Sequence, residues 1–307
     1  MYDAIIIVGP TASGKTALSI ELAKALKTEI INADSMYIYK SLNIGTAKPT
    51  IDEMKGITHH LIDIVNPSEE MNVSIYREYA KNILKYFEEK KLLPIIVGGT
   101  GFYIDSYITN YSYGETTKDT NLRKLLSDEY DNLGSEILYK KLQQLDITSA
   151  NKIHPNDKVR LIRALELCMS GDNKSSINNL DKPLIKNPLI IGLNINRDVL
   201  YDRINKRVDS MLSKGLLEEV SYLVNDLHLT PEKHQSMKGI GYKEIYYYLK
   251  NEIDLGFAVE QIKQHTRNYA KRQLTWFRRN KNIIWIDGLD TTTNQVNKIL
   301  NLYDLYN

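Results

Sequence analysis

Cysteine is almost absent from this 307-residue chain. Cys168 stands alone, which excludes an intrachain disulfide and a cysteine-built zinc site. Its neighbours Leu165, Leu167 and Met169 mark it as a core filler. An excess of charge is also missing. Forty Lys and Arg against 38 Asp and Glu leave a net charge of +2, so any nucleic-acid binding must come from local patches. No apolar run approaches the ~20 residues that span a bilayer, so no membrane attachment is expected. A core strand starts almost at once, leaving no room for a signal peptide; the expected compartment is the cytoplasm. Phenylalanine is scarce, with 4 residues against 21 tyrosines. So many tyrosines fit general packing, and Tyr242 and Tyr269, close to Gly and Lys or Arg, are the better stacking candidates. The remainder, 42% apolar and 25% charged, is ordinary for a globular protein. The length suits one large domain, or a core with a smaller domain attached.

What is present is concentrated near the N-terminus. Gly9-Pro10-Thr11-Ala12-Ser13-Gly14-Lys15-Thr16 fits G-x-x-x-x-G-K-[ST] at every fixed position. The apolar run Ala4–Val8 precedes it and reads as a buried parallel strand. The stretch from Thr16 to Leu26 follows and reads as a helix. Strand, loop and helix are the context this motif requires. Its glycines let backbone N–H groups surround a phosphate. The helix N-terminus and Lys15 add positive charge, and the Thr16 hydroxyl is placed to ligate Mg²⁺. The loop is therefore expected to hold a di- or triphosphate, as nucleotide-binding and ATP-binding proteins do.

Five apolar runs read as strands of a mostly parallel sheet: Ala4–Val8, Glu29–Ala33, Leu93–Gly98, Leu189–Ile195 and Ile283–Asp287. Helical stretches separate them, so the expected fold is α/β, a P-loop NTPase-like parallel sheet flanked by helices. Residues 113–188 lack strand-like runs. They read as a helical insertion domain with helices near Asn121–Asp131, Ser135–Leu145 and Asp157–Met169 and a polar loop at Ser170–Lys182. Residues 1–112 and 189–307 would form the core. Ligands in open α/β sheets bind beyond the carboxyl ends of strands. Asp34 and Thr100 lie just past such ends and should share a site with the phosphate loop.

Several constellations carry more than one reading. Asp34 suits a general base or a metal ligand, or only an Asx turn or helix cap. The strand ending in Gly98-Gly99-Thr100-Gly101 lacks the acid that an ATPase uses to hold Mg²⁺. Ile283–Asp287 has the right shape for it, but reads equally as an edge strand. No acid occurs from Gln261 to Ile286, where Lys263, Arg267 and Lys271 share one helix face. That stripe suits a nucleic-acid backbone, or is a solvated face. Arg160 and Arg163 could clamp phosphates or pair with Glu166. His59-His60 make a poor metal pair and read as structural or as a site edge.

Taken in order, the motifs resemble the tRNA dimethylallyltransferases, also called tRNA isopentenyltransferases, of the compact bacterial type. The resemblance rests on GPTASGKT at 9–16, ADSMYIY at 33–39, IGTAKP at 44–49, HHLID at 59–63 and VGGTGFY at 97–103. It continues in HPNDKVRLIRALE at 154–166, GIGYKE at 239–244 and TRNYAKRQLTWFR at 266–278. It implies transfer of a dimethylallyl group from dimethylallyl diphosphate to N6 of the adenosine 3′-adjacent to the tRNA anticodon, with Mg²⁺ assisting. Residues Gly9 to Thr16 would grip the donor diphosphate through backbone amides from Thr11 to Thr16, Lys15 and a Thr16-bound Mg²⁺. Asp34 would take the N6 proton, and Thr100 would lie near the base or donor. The adenine would be flipped out of its loop into a channel between sheet and insertion. Asp34, Ser35, Met36, Tyr37, Arg123, Val159, Arg160, Leu161, Ile162 and Arg163 fall on tRNA-contacting positions of the family, and Lys271, Arg272 and Arg278 would add backbone contacts. The family commonly carries Gln where this chain has Tyr37, which cannot reproduce an amide's paired donor and acceptor. The partner implied is the anticodon stem-loop, bound by a monomer. The rivals are a prenyltransferase of free adenine nucleotides, a kinase with an Arg-bearing lid, and an ATP-switched RNA-binding module.

Overall fold

The structure is a computed structural model that describes residues 2–109, 119–169 and 182–305. It divides into two compact units, Met1–Ile108 with Pro183–Asn307, and Thr109–Lys182. The second unit ends before the 188 read from the sequence, because Pro188 already opens a strand of the main sheet. The polar loop read at Ser170–Lys182 lies, apart from Lys182, outside the described residues.

The first unit begins with β1 (Ala4–Val8), α1 (Lys15–Leu26), β2 (Ile30–Asn32), α2 (Ile51–Met54), β3 (His59–His60), α3 (Val73–Lys90), β4 (Ile95–Gly98) and α4 (Gly101–Ile108). The second holds α5 (Thr120–Leu133), α6 (Ser135–Leu145), α7 (Ile147–Ala150) and α8 (Lys158–Met169). The chain returns through β5 (Pro188–Asn194), α9 (Arg197–Ser213), α10 (Leu216–Asn225), α11 (Tyr242–Leu249), α12 (Leu255–Phe277), β6 (Ile284–Asp287) and α13 (Thr292–Asp304).

The six strands are parallel in the order β3-β2-β4-β1-β5-β6. Both faces are covered, which is why β1 is apolar at every position. Ile5 and Ile7 pack with Leu18, Leu22, Val296 and Ile299 of α1 and α13. Ala4, Ile6 and Val8 face the opposite core, with Tyr76, Tyr103, Ile262 and Phe277. Each fully buried Ile contributes about 1.5–3 kcal/mol by leaving water. The sheet has one strand more than the sequence reading expected. His59 and His60 pair with Ile30 and Ile31 as a two-residue edge strand, too short for any periodicity to announce. His60 is structural, its Nε2 2.5 Å from Glu29, whereas His59, its Nδ1 2.9 Å from the Ile57 carbonyl, also lines the cavity beside the phosphate loop and so stands at a site edge. The strand Ile284–Asp287 lies at the other edge, away from the acid position of an ATPase.

The second unit has its own small core, built from Leu126, Leu138, Leu142, Leu161 and Leu165. Half-buried Cys168 packs against its margin. Glu166 is buried here and accepts from Arg123 Nε (2.9 Å), Arg163 Nη1 (2.7 Å) and the Asp119 N–H (2.9 Å). Both arginines are thus tied to a carboxylate, the ion-pair alternative that spacing left open for Arg163.

Candidate active site

Sheet order explains why distant motifs meet. β4 lies between β1 and β2, so the three carboxyl ends are neighbours at ~5 Å strand spacing. The phosphate loop leaves β1, Asp34 follows β2 and Thr100 follows β4. At Gly14 the backbone takes φ 92°, a left-handed turn that glycine makes freely, and α1 starts at Lys15 with its N–H groups open to the loop.

The loop borders a cavity of about 810 Å³ lined also by Asp34, Tyr37, Arg207 and Gln273. Lys15 Nζ donates to the Pro10 carbonyl at 2.6 Å, holding its ammonium across the loop. Burial pulls the Lys15 pKa down to about 8; the Asp34 charge opposes this and Arg207 adds to it. The Ser13 hydroxyl is buried with no hydrogen-bond partner and lines the cavity, as a group waiting for a ligand oxygen would be. Burial raises the Asp34 carboxyl above its usual range, only partly offset by the Met36 N–H, Lys15 and Arg207. Asp34 Oδ1 accepts that N–H at 3.0 Å, the Asx turn that the sequence left open, while the residue also lines the cavity.

Thr100 Oγ1 accepts the Ser35 N–H at 3.0 Å and donates to Ser35 Oγ at 3.1 Å, joining the two strand-end loops. Ser35 and Met36 sit in that junction, while Tyr37 lines the cavity and donates to the Ala47 carbonyl at 2.8 Å. One expectation needs correction. The Thr11 N–H donates to Gln273 Oε1 at 2.8 Å, so this amide is already engaged within the protein. Gln273 also donates to the Gly99 carbonyl at 2.9 Å. A side chain at Gly99 would place its Cβ 2.2 Å from Gln273 Nε2, so glycine there makes room for the bridge.

Arg207, Arg203, Lys206 and Lys214 also line the cavity. The sequence reading missed them. Arg203 and Arg207 are an i, i+4 pair on α9, and their common helix face was the available signal. Gln273 gave none, because its value depends on where α12 docks.

The remaining expectations divide. Lys271, Arg272 and Arg278 are exposed at the end of α12, but the basic stripe is shorter than read. Lys263 pairs with Asp209 at 2.8 Å and Arg267 donates to Asn205 at 2.7 Å, both partners on α9. In the second unit Val159 and Arg160 are exposed, whereas Leu161 and Ile162 belong to its core and present no side chain to a tRNA. Tyr242 is fully buried, which removes it as a stacking platform. Tyr269 is half-buried, with Arg272 5.8 Å from its ring centre.

Comparison with known proteins places these features in a family. The IPP transferase family model matches residues 37–280. The chain belongs to the IPP transferase family. It is 47% identical over 94% of its length to the tRNA dimethylallyltransferase of Acetivibrio thermocellus, of which it covers 92%. Another similar relative is the enzyme of that name from Bacillus cereus, at 47% identity over 93% of the chain and 90% of the relative. Among solved structures, the tRNA isopentenylpyrophosphate transferase of Bacillus halodurans aligns with a TM-score of 0.74 at 40% identity, over 99% of this chain and 96% of that one. A eukaryotic dimethylallyltransferase acting on tRNA aligns with a TM-score of 0.78 at 30% identity, over 94% and 75%. This IPP transferase thus has the P-loop NTPase-like fold expected from its sequence.

Proposed function

We propose that the protein transfers a dimethylallyl group from dimethylallyl diphosphate to N6 of the adenosine 3′-adjacent to the tRNA anticodon, giving N6-isopentenyladenosine and diphosphate. The observation that carries this reading is one cavity bordered by the phosphate loop and by Asp34. A buried carboxylate with a raised pKa is suited to taking a proton from the acceptor, and the tRNA dimethylallyltransferase relatives favour a prenyl over a phosphoryl group as what is transferred.

In the reaction, the N6 nitrogen attacks C1 of the allylic diphosphate and the C1–O bond breaks. The proton leaves N6 for Asp34. Negative charge moves onto the departing diphosphate, where Lys15, Arg207, the open α1 amides and the Ser13 hydroxyl stabilise it. Low local dielectric strengthens each of these interactions. Thr100 acts by holding the Asp34–Ser35 turn against β4.

Magnesium fits this site. Among the described residues no cluster of three or more His, Cys, Asp or Glu is placed to hold a metal. Phosphate-loop sites bind Mg²⁺ instead through one hydroxyl, substrate phosphates and water, and Thr16, the hydroxyl residue of the motif, lines the cavity. Bound there, Mg²⁺ would supply further neutralisation of the leaving group.

Exposed Lys271, Arg272, Arg278, Arg160 and Val159 are the candidate tRNA contacts, with Tyr37 bordering the acceptor base. Among the described residues no helix is long and apolar enough to cross a membrane. A cytoplasmic monomer completes the reading. It is tested with radiolabelled dimethylallyl diphosphate, Mg²⁺ and unmodified tRNA, with AMP in a parallel reaction. Label in tRNA alone is expected; label in AMP alone refutes the polynucleotide acceptor.

A further inference from the structure

The loop between β2 and α2 forms one wall of the cavity, contributing Asn43, Ile44, Thr46, Ala47 and Lys48. Its conformation is held from outside by a residue far away in sequence. Glu219 on α10 accepts the N–H groups of Asn43 (2.9 Å) and Ile44 (2.8 Å) on Oε2, and of Gly45 (3.0 Å) on Oε1. Oε1 also accepts the Tyr242 hydroxyl at 2.6 Å. Three consecutive backbone donors on one carboxylate form an anion nest, here filled by the protein's own side chain. Each bond is charge-assisted and stronger than its neutral counterpart.

The arrangement leaves no slack. A Cβ at Gly45 would lie 2.7 Å from the Tyr242 ring. Burial, then the Glu219 charge, push the Tyr242 phenol well up, so it remains a donor. At its other end the loop is pinned by Lys48, whose Nζ donates to the Tyr39 carbonyl and to Asp63 Oδ1, each at 2.6 Å. Between these two anchors lies Ala47, whose carbonyl receives the Tyr37 hydroxyl. Tyr37 therefore has its only O–H engaged by this loop. It presents a ring to the cavity, not a hydrogen-bond donor, and the loop decides where that ring stands.

We infer that Glu219 is a positioning residue for acceptor recognition: by gripping residues 43–45 it sets the Tyr37 ring as the wall against which the target base docks. The inference rests on the proposed transfer reaction. It also assigns a purpose to Tyr242, a GIGYKE residue that a surface role cannot explain.

The test is steady-state transfer by Glu219→Gln, Tyr37→Phe and the double variant, each with a thermal melt. In Glu219→Gln an amide NH₂ would oppose backbone donors, so the nest opens. The tRNA KM should rise about tenfold, as loss of a charged acceptor's bonds implies, while the donor KM stays within about twofold. Tyr37→Phe removes the same link at its other end, so the double variant should be no worse than the more affected single. Should Glu219→Gln fold poorly, Tyr242→Phe deletes one bond to the same carboxylate and should shift the tRNA KM in the same direction. A lower melting temperature with both KM values unchanged would reduce Glu219 to a structural residue, and additive effects would uncouple it from Tyr37; either overturns the inference. Inactive wild-type protein would instead overturn the transfer reaction itself.

Discussion

Replacing Asp34 by Asn tests the proton-transfer step with little disturbance of its surroundings. The Met36 N–H bonded to Asp34 Oδ1 keeps an acceptor in the amide oxygen, so the turn should survive. The proton acceptor does not survive. General-base assistance is worth ~10²–10⁴-fold, about 3–5 kcal/mol of barrier, so kcat should fall by that factor with tRNA affinity within about threefold. A second effect follows from the charges. Burial pulls the Lys15 pKa down, and the Asp34 charge opposes that fall, so that it stands at about 8. Protonated Lys15 is the form that holds a diphosphate, so donor kcat/KM in the wild type should decline as pH rises through about 8. Without the Asp34 charge that limb should move to lower pH, since kcat/KM reports groups of the free enzyme. Single-turnover transfer and a pH series on both proteins measure these effects. A variant with kcat within tenfold of wild type, or an unmoved basic limb, would refute the reasoning.

Other residues give separate predictions. Gln273→Ala strips partners from the Thr11 N–H and the Gly99 carbonyl, and at ~1–3 kcal/mol per stranded buried group it should lower the melting temperature and raise the donor KM; an unchanged donor KM would detach the bridge from the loop's function. Lys271→Ala and Arg272→Ala should each weaken tRNA binding and reduce the salt slope by about 1, whereas Lys263→Ala, whose cation already pairs with Asp209, should leave the slope unchanged in filter-binding titrations. Burial alone would raise the Glu166 carboxyl, but the bonds from Arg163, Arg123 and the Asp119 N–H hold it below the usual range. A depressed folded pKa contributes stability at neutral pH that is lost as pH falls through it, so Glu166→Gln should cost stability at pH 7 and flatten the acid limb; equal acid sensitivity would refute the pairing.

How much was legible in the sequence depended on whether a feature is local. The phosphate loop could be read because eight consecutive residues carry its shape, and β1 because its continuous apolar run declares two covered faces. Asp34 and Thr100 could be placed together because both follow strands, although only the order β2-β4-β1 makes them adjacent. The basic stripe on α12 was over-read because the partners of Lys263 and Arg267 lie on α9, some 60 residues earlier. Leu161 and Ile162 carry a family motif yet serve the core, since α8 buries one face. Gln273, Arg207 and Glu219 escaped notice for the opposite reason, as nothing about an isolated Gln, Arg or Glu shows what docking will place beside it. The two-residue strand His59–His60 is below the length at which alternation exists.

The most direct measurement is nucleoside analysis of unmodified tRNA after incubation with the protein, dimethylallyl diphosphate and Mg²⁺, with digestion and mass spectrometry to locate the adduct. The account predicts one isopentenyl group on N6 of the adenosine 3′-adjacent to the anticodon, formed without ATP. An unmodified tRNA alongside ATP consumption, or an adduct at any other nucleotide, would contradict it.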